Sequence, residues 1–310
     1  MKEIIPPIDR QLLKAELTSS TFVRKANNGD NLIYIINNHN APNTLLEIGR
    51  LRELTFRAAG GGTGLDCDLD DFDTCENSYE QLVVWNEEDQ EIVGGYRYIL
   101  CKKAIMPDGN FHLATTELFS FSELFKTKYL PLSIELGRSF VQPQYQPSVN
   151  NRKGLFSLDN LWDGLGALTI IHPEIEFFFG KVTTYRHFNL EARDFILRFM
   201  QYYFPDTEKL VWPHHEVEPT ADTVAFVKDL EGKDYKEGHK ILNTLVRSLG
   251  ENIPPLVNAY MNLSATMKSF GTAVNEEFGD VDETGILVAI DDIYPTKKER
   301  HVNTYVTPKK

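Results

Sequence analysis

Two apolar runs separated by a short acidic turn fix more of this chain's architecture than any other feature. The first, Glu80 to Trp85, reads EQLVVW; the second, Glu91 to Leu100, reads EIVGGYRYIL, with Asn86 to Gln90 as the polar tip between them. Such a pattern specifies an antiparallel hairpin. An isolated hairpin is at best marginal in water, so this one needs further strands beside it and helices over it.

The flanking sequence supplies both. Asn31 to Asn37, NLIYIIN, reads as a strand. Leu45, Ile48, Leu51, Leu54 and Phe56 fall at near-helical spacing, with Arg50, Arg52 and Arg57 between them. A short helical pattern, Leu12, Leu13 and Leu17, precedes them. Aromatics at helical spacing mark Leu118 to Phe125, and Leu132 to Val141 reads as another strand. Leu158, Leu161, Trp162, Leu165 and Leu168 predict a helix with Ser157 at its cap. A strand at 175–180 and a helix at 190–204 follow; 205–236 reads as acidic and irregular. A helix at 238–249, another opening on Pro254 and Pro255, and a strand at 285–291 complete the chain. No internal repeat is present. The prediction is an α/β (α+β) fold with a mixed, mainly antiparallel central sheet, one splayed strand, and helices on both faces. The expected divisions are an N-terminal extension (1–44), a core (45–204), an acidic insertion with a helix (205–252) and a C-terminal half completing the sheet (253–310).

Composition narrows the function. A formal net charge of −13 opposes general nucleic-acid binding, which depends on neutralising phosphates. The composition, 42% hydrophobic and 25% charged, is that of a soluble globular protein, and no apolar run is long enough to span a bilayer. The start, MKEIIPPIDR, lacks the apolar core of a signal peptide, so a cytoplasmic location is expected. Cys67, Cys75 and Cys101 lack zinc-finger spacing and an even count, so they are expected to be reduced. An anionic partner would need a local basic patch: Lys102 and Lys103, Arg152 and Lys153, or the cluster Lys297, Lys298 and Arg300.

The candidate chemistry centres on Ile134 to Tyr145. Gly137 and Pro143 interrupt a strand that also carries Glu135 and Arg138, so the strand should bulge, splay or end there. Freed N–H groups beside an acid and an arginine suit acyl transfer. Upstream, the glycine-rich loop Gly60 to Gly64 runs into Asp66-Cys67-Asp68-Leu69-Asp70-Asp71-Phe72-Asp73. A calcium hand is excluded there: its turn glycine would be Asp71 and its twelfth residue Asn77. Leu69 and Phe72 would anchor the loop and turn carboxylates into a site. His214-His215-Glu216 lacks the HExxH spacing of a zinc helix and reads as structural.

These motifs, in this order, resemble a branch of the GNAT acyltransferase superfamily that makes amino-acid lipids. The carrying stretches are Glu47 to Arg57 with Asp70 and Asp73, Gly94-Gly95-Tyr96-Arg97, Glu135 to Val141, Leu161-Trp162-Asp163-Gly164-Leu165, and residues 253 to 291. The resemblance spans roughly residues 45 to 295, is strongest to the glycine-lipid type of the Bacteroides group, and is distant to acyl-homoserine lactone synthases. Relatives often carry Gly-Glu-Gly-Thr-Gly where this chain has Gly60-Gly61-Gly62-Thr63-Gly64, and the acidic stretch 213–237 has no counterpart in the resemblance.

The resemblance implies a GNAT-like sheet and transfer of a long, 3-hydroxylated acyl chain from acyl carrier protein to an amino acid, glycine first. No cofactor would be tightly bound; the donor is a phosphopantetheine thioester on carrier protein or CoA. Amide formation needs an unprotonated amine, which points to Glu135 as base, with Asp70 and Asp73 as alternates and Arg138 beside them. Arg52, Arg97 and Arg138 are candidate forks for the acceptor's carboxylate, with Phe56 and Trp162 also lining its site. Phe140 and Val141 would polarise the thioester, and Arg152, Lys153 and Gly154 would meet the phosphopantetheine phosphate. No metal is expected. The same arginines and acids could instead form a buried ion-pair lattice that fixes the fold. An acetyl-CoA-dependent acetyltransferase and a non-catalytic lipid- or carrier-binding module remain alternatives. A lipid product allows weak peripheral membrane contact, although no basic amphipathic helix is evident.

Overall fold

The computed structural model describes residues 1–146 and 154–307. In chain order they form α1 (Arg10–Glu16), β1 (Phe22–Lys25), β2 (Leu32–Ile36), α2 (Pro42–Ala58), α3 (Asp71–Thr74), β3 (Glu80–Asn86) and β4 (Glu91–Leu100). Next come β5 (Phe119–Phe121), β6 (Ser133–Val141), α4 (Ser157–Ile171), β7 (Phe177–Thr184) and α5 (Leu190–Tyr203). The last elements are β8 (Val211–Pro213), α6 (Val224–Leu230), α7 (Tyr235–Ser248), α8 (Pro255–Met261), β9 (Lys268–Asn275), β10 (Val281–Ala289) and α9 (Pro295–His301). They fall into two compact units: Met1–Ala114 with Leu132–Glu176 and Pro295–Lys310, and Thr115–Pro131 with Phe177–Tyr294.

In the first unit an antiparallel sheet runs β1-β2-β3-β4-β6. The predicted hairpin is β3–β4, with Gln81 opposite Arg97 and Leu82 opposite Tyr96. Both strands are buried along nearly their whole length, which explains why they read as continuous apolar runs instead of alternating ones: each face is covered. Burying a side chain such as Leu82 or Val84, both 0% exposed, stabilises by about 1.5–3 kcal/mol. On one face sits α2, begun by Pro42 and closed at its amino end by Glu16, whose carboxylate accepts from the backbone N–H groups of Asn43 and Thr44 at 3.1 and 2.8 Å. On the other face sits α4, whose Gly164 lies so close to the sheet that a Cβ would stand 2.5 Å from a Leu82 methyl.

Ser157 does not cap α4 from outside; it is the first helical residue, and its hydroxyl donates to the Tyr145 carbonyl at 2.9 Å. Asp163, fully buried in α4, accepts from the backbone and side-chain amides of Asn27 at 2.8 and 2.7 Å and pairs with His301 Nδ1 at 2.8 Å. The Trp-Asp-Gly motif thereby ties α4 to the turn after β1 and to α9.

The second unit carries β7-β10-β9, antiparallel, and the β5–β8 pair. Here two expectations fail. Phe119 and Phe121 belong to a strand, with both rings buried at period two, and the helical turn starts only at Glu123. Residues 205–236 are not uniformly irregular, since Val211–Pro213 pairs with β5 and Phe226 and Leu230 bury one side of α6.

Candidate active site

Three arginines and three aspartates meet in the first unit. Arg52, on the buried face of α2, donates through Nε to Asp68 at 2.9 Å and through both terminal nitrogens to Asp73 at 3.1 and 2.9 Å. Asp73 also accepts from Gln81 Nε2 at 2.9 Å, and its second oxygen pairs with Arg97 Nη1 at 3.2 Å. Arg97 Nη1 reaches both oxygens of Asp70 at 2.7 Å. Arg138 Nε closes the ring on Asp68 at 3.1 Å, and its Nη2 stands 3.8 Å from Asp70.

Local sequence makes this arrangement possible. Asp70 and Asp73 form a reciprocal capping box around the single turn of α3, so the acidic loop is a helix start with two carboxylates locked in place. Gln81, Arg97 and Gly137 are opposite one another across β3, β4 and β6 and share one face of the sheet. Beneath the Arg97 guanidinium lie the rings of Phe72 and Tyr79, at 5.4 and 5.2 Å.

The interruption expected in β6 is a bulge. Gly95 faces Phe140 and Arg97 faces Gly137, so Arg138 and Ser139 together stand opposite Tyr96. Arg138 takes a left-handed backbone, φ +48°, which swings its side chain toward the aspartates. Gly94 and Gly95 admit the close approach of the neighbouring strands: a Cβ would lie 2.3 Å from the Phe140 carbonyl at Gly94 and 2.7 Å from the Leu82 carbonyl at Gly95. Phe140 and Val141 stay in register with β4, opposite Gly95 and Gly94, and the N–H of Gln142 donates to the Val93 carbonyl at 3.0 Å. By antiparallel alternation the Val141 N–H is directed away from β4.

Charge is balanced by burial and pairing in opposition. Burial pushes the Asp73 carboxyl up, but Arg52 and then Arg97 outweigh it and hold it well below the usual range. Asp68 is likewise pushed up by burial and pulled further down by Arg138 and Arg52. Burial pulls the Arg52 and Arg97 guanidiniums down, but Asp68 and Asp73 for Arg52, and Asp73 and Asp70 for Arg97, outweigh it and raise both above their ordinary value. Cys67 beside them is pushed up to about 12 by burial, against the pull of Arg52, and is an inert thiol.

Glu135 lies on the same face as Arg97 and is 2% exposed; the Tyr79 hydroxyl donates to it and accepts from the Ala114 N–H at 3.0 Å. Burial and then Glu135 raise the Tyr79 phenol well above its ordinary value, so it stays a neutral donor. The loop after α2 is organised by Glu53, which accepts from the N–H and hydroxyl of Thr63 at 3.0 and 2.8 Å and from Gly64 at 2.8 Å.

The structure therefore brings Arg52, Asp70, Asp73, Arg97 and Arg138 together, with Glu135 linked to them through Tyr79. Phe56 is buried one helical turn beyond Arg52. Trp162 rides on α4, across the sheet from the lattice. Gly154 packs against backbone: a Cβ there would lie 2.5 Å from the Tyr145 carbonyl and 2.6 Å from that of Gln146. Arg152 and Lys153 lie outside the described residues. Sequence reasoning missed Asp68, Tyr79 and Gln81. Counting the hairpin register from its turn puts Gln81 opposite Arg97; nothing in the local sequence singles out Asp68 among its acidic neighbours.

A family model described as an acetyltransferase (GNAT) domain matches residues 51–152, a span that includes every member of the lattice. The chain is 54% identical over 314 aligned positions to a Bacteroides thetaiotaomicron protein named glycine N(alpha)-acyltransferase, covering 99% of this chain and 91% of the relative. It is 52% identical over 307 positions to a Phocaeicola vulgatus protein of the same name, covering 99% and 94%. Among solved structures, the acyl-homoserine lactone (AHL) synthase LasI aligns over 90% of this chain and 98% of its own at 11% identity, with a TM-score of 0.41 that is too low to carry an argument.

Proposed function

The chain belongs to the GNAT acyltransferases and is an acyltransferase, and from that premise we propose that it acylates the α-amino group of an amino acid, glycine being the acceptor. Support for the acceptor comes from the two relatives named glycine N(alpha)-acyltransferase, matched over nearly their whole length. The observation that carries the reading is the graded burial of the lattice. Arg52 and Asp73 are 0% exposed and bound up within the lattice, Arg52 with Asp68 and Asp73, and Asp73 with Arg52, Arg97 and Gln81, whereas the side chains of Asp70 and Arg138 are 31% and 16% exposed and stand together at its open edge. An acid and an arginine side by side match the ammonium and carboxylate of a zwitterion.

In this reading Asp70 draws in the acceptor's amine and Arg138 its carboxylate, while Arg52, Asp68, Asp73 and Arg97 fix the positions of both. Asp70 or a water beside it takes the proton as nitrogen attacks the thioester carbon. The carbon–sulfur bond breaks, the amide forms, and the thiolate leaves to be protonated. The Val141 N–H, turned away from β4, polarises the thioester oxygen. Glu135, buried under Tyr79, acts as a positioning residue: it holds the phenol ring on which Arg97 rests. The donor we propose is a long, 3-hydroxylated acyl chain on the phosphopantetheine of acyl carrier protein, and the product an N-acyl amino acid of lipid synthesis.

The test is a reconstitution with 3-hydroxyacyl carrier protein and each common amino acid, read by mass spectrometry. N-acylglycine should dominate. Absence of any N-acyl amino acid with either carrier protein or CoA donors would overturn the reading.

A further inference from the structure

We propose that Asp71, Cys75 and His112 form a site for a zinc-type divalent cation, distinct from the acyl-transfer lattice, whose occupancy braces α3. One ligand atom from each residue lies within 4.8 Å of the others, and all three residues reach solvent. Asp71 Oδ2 and His112 Nε2 are already 3.6 Å apart. A tetrahedral zinc with bonds of roughly 2.0–2.3 Å sets its ligands about 3.3–3.8 Å apart, so this pair is at bonding separation and the thiol needs to move by at most about 1 Å.

The backbone builds the site from both sides. Asp71 opens α3 and Cys75 caps its end, four residues apart, so one helical turn aligns them on the same side. His112 comes from a separate turn, anchored by its own N–H to the Ala104 carbonyl at 2.8 Å and by the Ile105–Phe111 bridge. Its ring stacks on Phe72, with centroids 4.6 Å apart, which leaves the ring edge free to turn toward Asp71. Unlike Asp70 and Asp73, Asp71 has no arginine partner among the described residues. The set of one carboxylate, one thiolate and one imidazole suits zinc or cobalt and excludes calcium or magnesium as the preferred ion. Three protein ligands leave the fourth position to water.

The consequence for the fold is local. Phe72 lies between the two sites, with His112 on it and Arg97 over it, and α3 carries Asp70 and Asp73 on the lattice side. A cation joining α3 to the 104–112 turn would pin the helix that supplies two of the three lattice carboxylates, Asp70 and Asp73.

Cobalt(II) titration of chelator-treated, reduced protein tests the site. We expect saturable binding with a thiolate-to-cobalt charge-transfer band and tetrahedral visible bands, displaced by zinc. Cys75→Ser should abolish the charge-transfer band, and His112→Gln should weaken binding at least tenfold, while Cys67→Ser should leave both unchanged. Zinc should also slow amide exchange across 70–76 in the wild-type chain. No charge-transfer band, or one that survives Cys75→Ser or disappears in Cys67→Ser, would overturn the site. Unchanged exchange at 70–76 on saturation would overturn the bracing.

Discussion

Replacing Asp73 by Asn tests the lattice more sharply than any other single change. The amide is nearly isosteric, so the volume of the site is kept and only the charge is lost. Asp73 faces two guanidiniums that are themselves fully enclosed, with contacts of 2.9, 3.1 and 3.2 Å, as well as the Gln81 amide at 2.9 Å. An Asn there offers one acceptor oxygen and turns an NH2 toward donors. Breaking a buried pair in this way costs about 3–5 kcal/mol. Asp68 and Asp70 still hold Arg52 and Arg97, which places the expected loss near the lower end, about 3 kcal/mol. The assay is urea unfolding followed by fluorescence of the buried Trp85, measured as a function of pH.

The sign with pH follows from linkage. The folded-state carboxyl of Asp73 lies below its unfolded value of about 3.9, so its contribution is present above that value and is lost as pH falls toward the folded-state value. The difference between wild type and Asp73→Asn should therefore be flat from neutrality down to about pH 5 and shrink below about pH 4. A difference under about 1 kcal/mol at neutral pH, or one that does not shrink in acid, would refute the idea that charge pairing holds this region.

Two further outcomes are expected. Arg138→Gly relieves the left-handed strain at φ +48° while removing a pair with Asp68, so stability should change by less than about 1 kcal/mol; kcat/KM for the amino acid should fall about 10- to 100-fold, seen as a rise in KM for the acceptor with that for the donor unchanged. Tyr79→Phe removes the hydroxyl shared by Glu135 and the Ala114 N–H and should cost about 1–3 kcal/mol, read as a fall of several degrees in Tm by calorimetry.

The elements legible in the sequence are those whose apolar pattern their burial enforces: the β3–β4 hairpin, α2 and α4 all stand where spacing put them. β1, with four residues, is too short to show a period, and β9 carries Gly271 at φ +89° in the middle of its pattern. Phe119 and Phe121 were open to misreading because aromatics at 119, 121 and 125 satisfy both a strand and a helical spacing until pairing with β8 decides. At the site, arginines within apolar elements stood out because burying them demands partners. Which aspartate meets which arginine depends on contacts such as that of Arg138 with Asp68, seventy positions apart in the chain, and no local pattern encodes that.

The junction at Asp163 has a consequence for how the protein is made. Asn27, Asp163 and His301 come from early, middle and late in the chain, and they close on one buried carboxylate. A ribosome delivers the hairpin and α4 long before His301 emerges from its exit tunnel. Until then Asp163 lacks one of its partners and the α4 surface around Gly166, which later receives the backbone of His301, is bare. The nascent first unit must wait, partly unsealed, while the whole second unit is synthesised. Its vulnerability to proteases and its need for chaperones should be greatest in that interval, and a stop codon placed just before Pro295 would make that interval permanent.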